Sequence, residues 1–174
     1  VAAKKVPFFK PGKELRLKQQ YFFVCATLQD VLRRFQKFGP RRWADLPEQV
    51  QIQLNDTHPV LAIPELMRLL VDDHRVNWEE AWELTQRVFA YTNHTVLPEA
   101  LERWPADLLG RLLPRHFEII EEIDRRFRVS VATQAAGDQG LVERTAVVDG
   151  ARNVRMAHLA FLGSHCVNGV AALH

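Results

Sequence analysis

Read for the alternation of apolar and polar positions, the chain begins with a helical stripe. From about residue 15 to 38, Tyr21, Val24, Cys25, Leu28, Val31, Leu32 and Phe35 recur at spacings of three and four, with Arg33, Arg34 and Lys37 on the other side. That is the period of an amphipathic helix, and Gly39-Pro40 should end it. The period drops to two at Val50-Gln51-Ile52-Gln53-Leu54, which predicts a strand running directly into the polar group Asn55-Asp56-Thr57-His58-Pro59. Pro64 suits the first turn of a helix carrying Leu66, Met67, Leu69 and Leu70. Asn77 followed by Glu80 predicts a capped helix from about Trp78. It turns strand-like over Arg87-Val88-Phe89-Ala90-Tyr91 and delivers a second polar group, Thr92-Asn93-His94-Thr95.

Further on, Pro98 opens a short helix through Leu101 that Pro105 closes, and helices are expected at about 108–113 and 115–127. In the second of these, Ile119, Ile120, Ile123 and Phe127 share one face. Residues 133–149 read as a loop with a possible strand. Residues 153–162 read as an apolar strand ending at Gly163-Ser164-His165, and 167–173 as the start of a helix. Repeats, low-complexity tracts and dividing linkers are missing from the sequence. This order of elements predicts an α/β domain with a mostly parallel sheet.

Charge narrows the function classes. The 23 basic and 21 acidic residues leave a net +2, too weak a field to attract nucleic acid or an anionic membrane. Arg33, Arg34, Arg41, Arg42 and Trp43 therefore read as a solvated helix end. Two cysteines far apart, Cys25 and Cys166, suit a reduced compartment, so a cytoplasmic location is expected. No apolar run reaches the roughly 18–20 residues that span a bilayer, and residues 1–11 lack the pattern of a signal peptide. The chain starts at Val1 and stops at His174 within an apolar stretch, so both ends read as cuts through a longer protein.

Three expected strands run into polar groups: at Asn55-Asp56-Thr57-His58, at Asn93-His94-Thr95 and at Ser164-His165. Parallel neighbours would bring all three to one sheet edge, where open α/β sheets bind ligands. None of the groups holds Lys or Arg, which favours a neutral polyhydroxylated ligand over a phosphate. Each residue also has a plainer reading. Asp56 can cap the following helix, and Glu99 and Glu102 can serve ion pairs with Arg103 or Arg115 rather than form a glycosidase pair. His158 and His165 lack metal-site spacing, and Trp78, Trp82 and Trp104 read as core.

Residues 53–66, with Asn55-Asp56-Thr57-His58-Pro59, and residues 90–104, with Tyr91-Thr92-Asn93-His94-Thr95, are similar to hallmark segments of the α-glucan phosphorylases (glycogen, starch and maltodextrin phosphorylases). So are residues 12–21, Leu113-Pro114-Arg115-His116, Met156-Ala157-His158-Leu159 and residues 163–171, all in family order. The resemblance covers residues 12–174, as the second half of the family's N-terminal domain. Residues 1–11 depart from the family's gate loop, and residues 133–149 match poorly.

The resemblance implies a Rossmann-like lobe of a two-lobed GT-B glycosyltransferase-like fold, truncated here. It implies cleavage of terminal α-1,4-glucan bonds by inorganic phosphate to give glucose 1-phosphate. It also implies a homodimer, and a pyridoxal 5'-phosphate cofactor held by a C-terminal lobe lying beyond this chain. Matched residue by residue, His94 corresponds to the histidine that contacts the sugar's 6-hydroxyl and whose carbonyl lies near the anomeric carbon. Asp56, His58 and Thr95 correspond to residues lining the channel. Val170 corresponds to a residue that packs on the bound glucose, with Asn168 and Gly169 matching positions that shape the backbone beside it. The rival expectations are a lobe of a nucleotide-sugar glycosyltransferase and a non-catalytic carbohydrate-binding module.

Overall fold

The structure is a computed structural model that describes residues 9–37, 42–97, 101–135 and 138–170. The first apolar stripe forms α1 (Phe9–Lys37), which buries Leu17, Val24, Leu28, Leu32 and Phe35. A single turn at Trp43–Asp45 and the short α2 (Leu46–Gln49) follow, neither signalled by periodicity. Trp43 packs between Phe35 and His74, with ring centres 5.7 and 4.5 Å away, so this aromatic serves the fold. Next come β1 (Ile52–Asn55), α3 (Ala62–Arg68) with a π-type turn at Leu69–Asp73, α4 (Trp78–Val88) and β2 (Phe89–Asn93). The cap of α4 is as expected, with Asn77 Oδ1 accepting from the Glu80 amide at 3.0 Å. The Glu80 carboxylate, however, takes the Asn77 side-chain amide at 3.1 Å and not the cap's backbone N–H.

The second half holds β3 (Arg103–Pro105), α5 (Ala106–Leu112), α6 (Pro114–Gln134), α7 (Gln139–Thr145), β4 (Asn153–Arg155), α8 (Met156–Leu162) and β5 (Cys166–Gly169). Several expectations are corrected here. Residues 133–149 are partly helical, because α6 runs on to Gln134 and Asp138 caps α7 by accepting from the Leu141 amide at 3.0 Å. Residues 153–162 form a three-residue strand and then a helix that buries Met156, Ala157, Leu159 and Ala160. A continuous apolar run leaves strand and helix indistinguishable by period, and packing decided for helix. β5 takes in residues 167–169, where the start of a helix was expected, since pairing with β2 outweighs local preference. Pro105 ends β3 and precedes α5. The Gly39-Pro40 stop, the Pro98 helix start, Glu99 and residues 171–173 lie outside the described residues.

The main sheet has the order β1-β2-β5, all parallel, with Asn55 beside Thr92 and Asn93 beside Gly169. A second, antiparallel pair joins β3 to β4. The architecture is thus a mixed helix and parallel-sheet α/β fold. At its centre lies α3, with Ala62 through Met67 all buried. A helix apolar all round must be enclosed, and α1, α4 and α6 enclose it. The α8–β5 corner also presses on it: a Cβ at Gly163 would lie 2.5 Å from Ile63 Cδ1 and 2.8 Å from Cγ2.

The one acid on α3, Glu65, is fully buried and could not stay charged there alone. It receives Arg68 through two bonds, of 3.0 and 3.1 Å, and His116 Nε2 at 2.5 Å. Burial by itself would raise the Glu65 pKa, but the bonds from His116 and Arg68 outweigh it and hold the carboxyl below its ordinary value. Arg68 also reaches Asp73 at 3.2 Å, and Tyr21 stands edge-on to the His116 ring.

Candidate functional site

Parallel pairing puts the ends of β1, β2 and β5 on one edge, and the polar groups after β1 and β2 therefore meet there. A side-chain chain crosses the three strands: Gln53 Nε2 donates to Thr92 Oγ1 at 2.7 Å, and Thr92 Oγ1 donates to Asn168 Oδ1 at 2.8 Å. Beyond it the backbone turns at Asp56, which adopts φ 57°, a left-handed conformation that Asp tolerates better than most residues. The Asp56 amide donates to Thr92 O at 2.9 Å, tying the turn to the central strand.

The loop carrying His94 is held on both sides. Asp56 Oδ1 accepts from the His94 amide at 2.8 Å and from Thr95 Oγ1 at 3.0 Å. Asn93 closes on Thr95, its Oδ1 accepting from Thr95 N and its Nδ2 donating to Thr95 O, each at 3.0 Å. The exposed His94 ring places Nε2 2.9 Å from Asn55 Oδ1. Asp56 therefore does not cap the following helix. It is the anchor of the His94 loop.

Asn168 and Gly169 end β5 at this same edge, with exposed Val170 next to them. Ser164-His165 does not join them. It precedes β5, and the His165 amide donates to Phe89 O at the start of β2, so it lies at the opposite edge. The expected three-way meeting is corrected accordingly, and the third strand brings Asn168-Gly169 in place of Ser164-His165.

A neighbouring cluster was missed from sequence. Glu102, with its side chain 11% exposed, accepts from Arg16 at 2.9 Å and from Gln20 Nε2 at 2.9 Å on one oxygen, and from Thr57 Oγ1 at 3.3 Å on the other. His58 joins it: Nδ1 stands 3.2 Å from the Arg16 guanidinium and 3.3 Å from Glu102. Guanidinium can only donate, so in the contact with Arg16 the His58 Nδ1 is the acceptor. The partners expected for Glu102 lie elsewhere, Arg103 with Asp149 at 3.9 Å and Arg115 with Asp72 at 2.8 Å. Beneath the edge, the Tyr91 hydroxyl is buried without a partner among the described residues. Burial and then the Asp56 charge push its pKa up to about 12, so it stays neutral.

Among the described residues no cluster of His, Cys, Asp and Glu could hold a metal ion, and no helix is long and apolar enough to cross a membrane. The edge thus offers one carboxylate, amides, a hydroxyl and an imidazole. These are groups that read hydroxyls by hydrogen bonds.

The family model for carbohydrate phosphorylases matches residues 8–174. The chain belongs to this family. The match reaches into the segment read as divergent and takes in every residue of the edge. The chain is 56% identical over 175 aligned residues to the liver form of glycogen phosphorylase from Homo sapiens, covering 95% of this chain and 21% of that protein. Against the muscle forms from Homo sapiens and Oryctolagus cuniculus the identity is 57%, with the same coverage. This phosphorylase-family chain thus spans about a fifth of the length of these relatives.

Proposed function

We propose that the chain forms the sugar-side part of a glucan phosphorylase, which cleaves terminal α-1,4-linked glucose with inorganic phosphate to give glucose 1-phosphate. The carrying observation is the anchored His94 loop at the edge of the parallel sheet, within a chain of the phosphorylase family. In this reading the chain is part of the N-terminal, Rossmann-like lobe of a two-lobed GT-B enzyme that works as a cytoplasmic homodimer. The His94 side chain binds the sugar's 6-hydroxyl. Its carbonyl faces the anomeric carbon, where an oriented dipole favours positive charge as the glycosidic bond breaks. Asn93 Oδ1, accepting from Thr95 N, keeps that peptide from turning, and Asp56 fixes the peptide before it through the His94 amide. Asp56, His58 and Thr95 line the channel, and Asn168, Gly169 and Val170 pack beside the glucose.

The whole enzyme would carry pyridoxal 5'-phosphate, whose phosphate group supplies proton transfer when bound. The donors at this edge do not fit that group: the cationic side chain described beside it, Arg16, is paired with Glu102. The cofactor is therefore assigned to another part of the enzyme, and no step is routed through it here.

The test is His94→Ala in the full-length enzyme. Losing one neutral hydrogen bond, worth about 0.5–1.5 kcal/mol, lowers kcat/KM about two- to tenfold. The loss disappears when the terminal sugar is 6-deoxyglucose, which has no 6-hydroxyl to lose. An equal loss for both sugars would show that His94 does not read that hydroxyl.

A further inference from the structure

We infer that Asn55 is a positioning residue that fixes the His94 ring and its protonation, so that Nδ1 is presented to the sugar as a hydrogen-bond acceptor. The inference rests on the sugar-side reading above and adds the direction of the bond. His94 Nε2 lies 2.9 Å from Asn55 Oδ1. An amide oxygen can only accept, so Nε2 must carry the proton. A neutral imidazole with Nε2 protonated leaves Nδ1 a bare acceptor. The sugar hydroxyl must then donate to it, and its own lone pairs remain for other donors.

The backbone explains how two consecutive residues can both reach His94. Neighbouring side chains on a strand point to opposite faces. Asn55 is the last residue of β1, and the left-handed φ of 57° at Asp56 breaks that alternation. Asn55 consequently holds the ring of His94 while Asp56 holds its amide. The loop and the ring are fixed by separate side chains, so one can be removed while the other stays. Asn55 is exposed, and changing it leaves the core untouched.

The experiment uses the full-length enzyme and compares kcat/KM for glucans ending in glucose and in 6-deoxyglucose. Asn55→Leu should reduce the preference for the 6-hydroxyl by about the same factor as His94→Ala, roughly two- to tenfold. Asn55→Asp keeps an acceptor oxygen in place and should retain the preference. In the same enzyme labelled with 15N in histidine, His94 (assigned by its loss in His94→Ala) should show a protonated Nε2 and an unprotonated Nδ1. In Asn55→Leu the two signals should move toward the averaged values of a free imidazole. A folded Asn55→Leu enzyme with its preference intact, or a wild-type ring protonated on Nδ1, overturns the inference. If His94→Ala itself leaves the preference unchanged, the sugar-side reading falls, while the ring signals still decide the assignment of Asn55.

Discussion

Two polar clusters in this chain use carboxylates in opposite ways. At the sheet edge Asp56 meets neutral donors, a backbone N–H and a hydroxyl. Against α3, Glu65 meets a guanidinium and an imidazole and has almost no exposure. The buried cluster spends both oxygens of Glu65 on partners within the fold. At the edge, among the described residues, Asp56 Oδ2 and His94 Nδ1 have no protein partner. A group committed to stability is saturated by its neighbours, whereas a group available to a ligand is held through one atom and left open at another.

The largest expected effect comes from opening the saturated cluster. Glu65→Ala leaves Arg68 without its bidentate partner and should cost about 3 kcal/mol or more, as when one member of a buried ion pair is removed. Urea unfolding measures this, and a loss below about 1 kcal/mol would mean the cluster does little for stability.

At the edge, Asp56→Ala removes an ionised acceptor from two donors and places alanine at φ 57°. A cost of about 1–3 kcal/mol is expected. Hydrogen exchange at the His94 amide should quicken, while Asp56→Asn keeps both the oxygen and the tolerance for that backbone and should preserve protection. Equal exchange in the two variants would show that the carboxylate does not anchor the loop.

The smallest effect is a pH slope from His158, which belongs to neither cluster. Burial lowers its pKa, partly opposed by the bond its Nδ1–H donates to Thr145 O. The unfolded imidazole takes up a proton near pH 6.5, where the folded one resists it. Stability therefore falls as pH drops below about 6.5. His158→Gln should flatten the urea midpoint between pH 7 and 5.5. Loss from Glu65, whose folded pKa is also lowered, begins only where an unfolded carboxyl takes up its proton and continues to more acid pH. An unchanged slope in His158→Gln would show that His158 does not set the acid sensitivity between pH 7 and 5.5.

What the sequence made legible followed from local pattern. Period two at residues 50–54 placed Asn55 and Asp56 after a strand, and the strand-like turn of the chain near Phe89 placed His94 in the same way. The error at Ser164-His165 came from an apolar run whose period fits strand and helix alike. Once Met156–Leu162 is helical, the strand that joins the sheet begins after His165. Glu102 does serve an ion pair, with Arg16, but its partners were misassigned because they are distant in sequence, Gln20 by 82 residues and Thr57 by 45. Glu65 carried a signal that went unused: an acid enclosed by apolar neighbours on a helix, with Arg68 three residues on. Its other partner, His116, lies 51 positions away and only the fold supplies it.

The bond from Thr92 to Asn168 joins positions 76 residues apart, and this has a consequence for how the protein is made. β1 and β2 can pair while most of the second half is still being synthesised, so Asp56 can take hold of the His94 loop early. Until β5 emerges, β2 presents an unpaired edge to the surrounding solution, a template for pairing with the wrong chain. Contacts this distant also form slowly, because the intervening chain must be ordered first. The edge formed by β1, β2 and β5 should therefore mature in two stages during synthesis, with Asn168 and Gly169 arriving last.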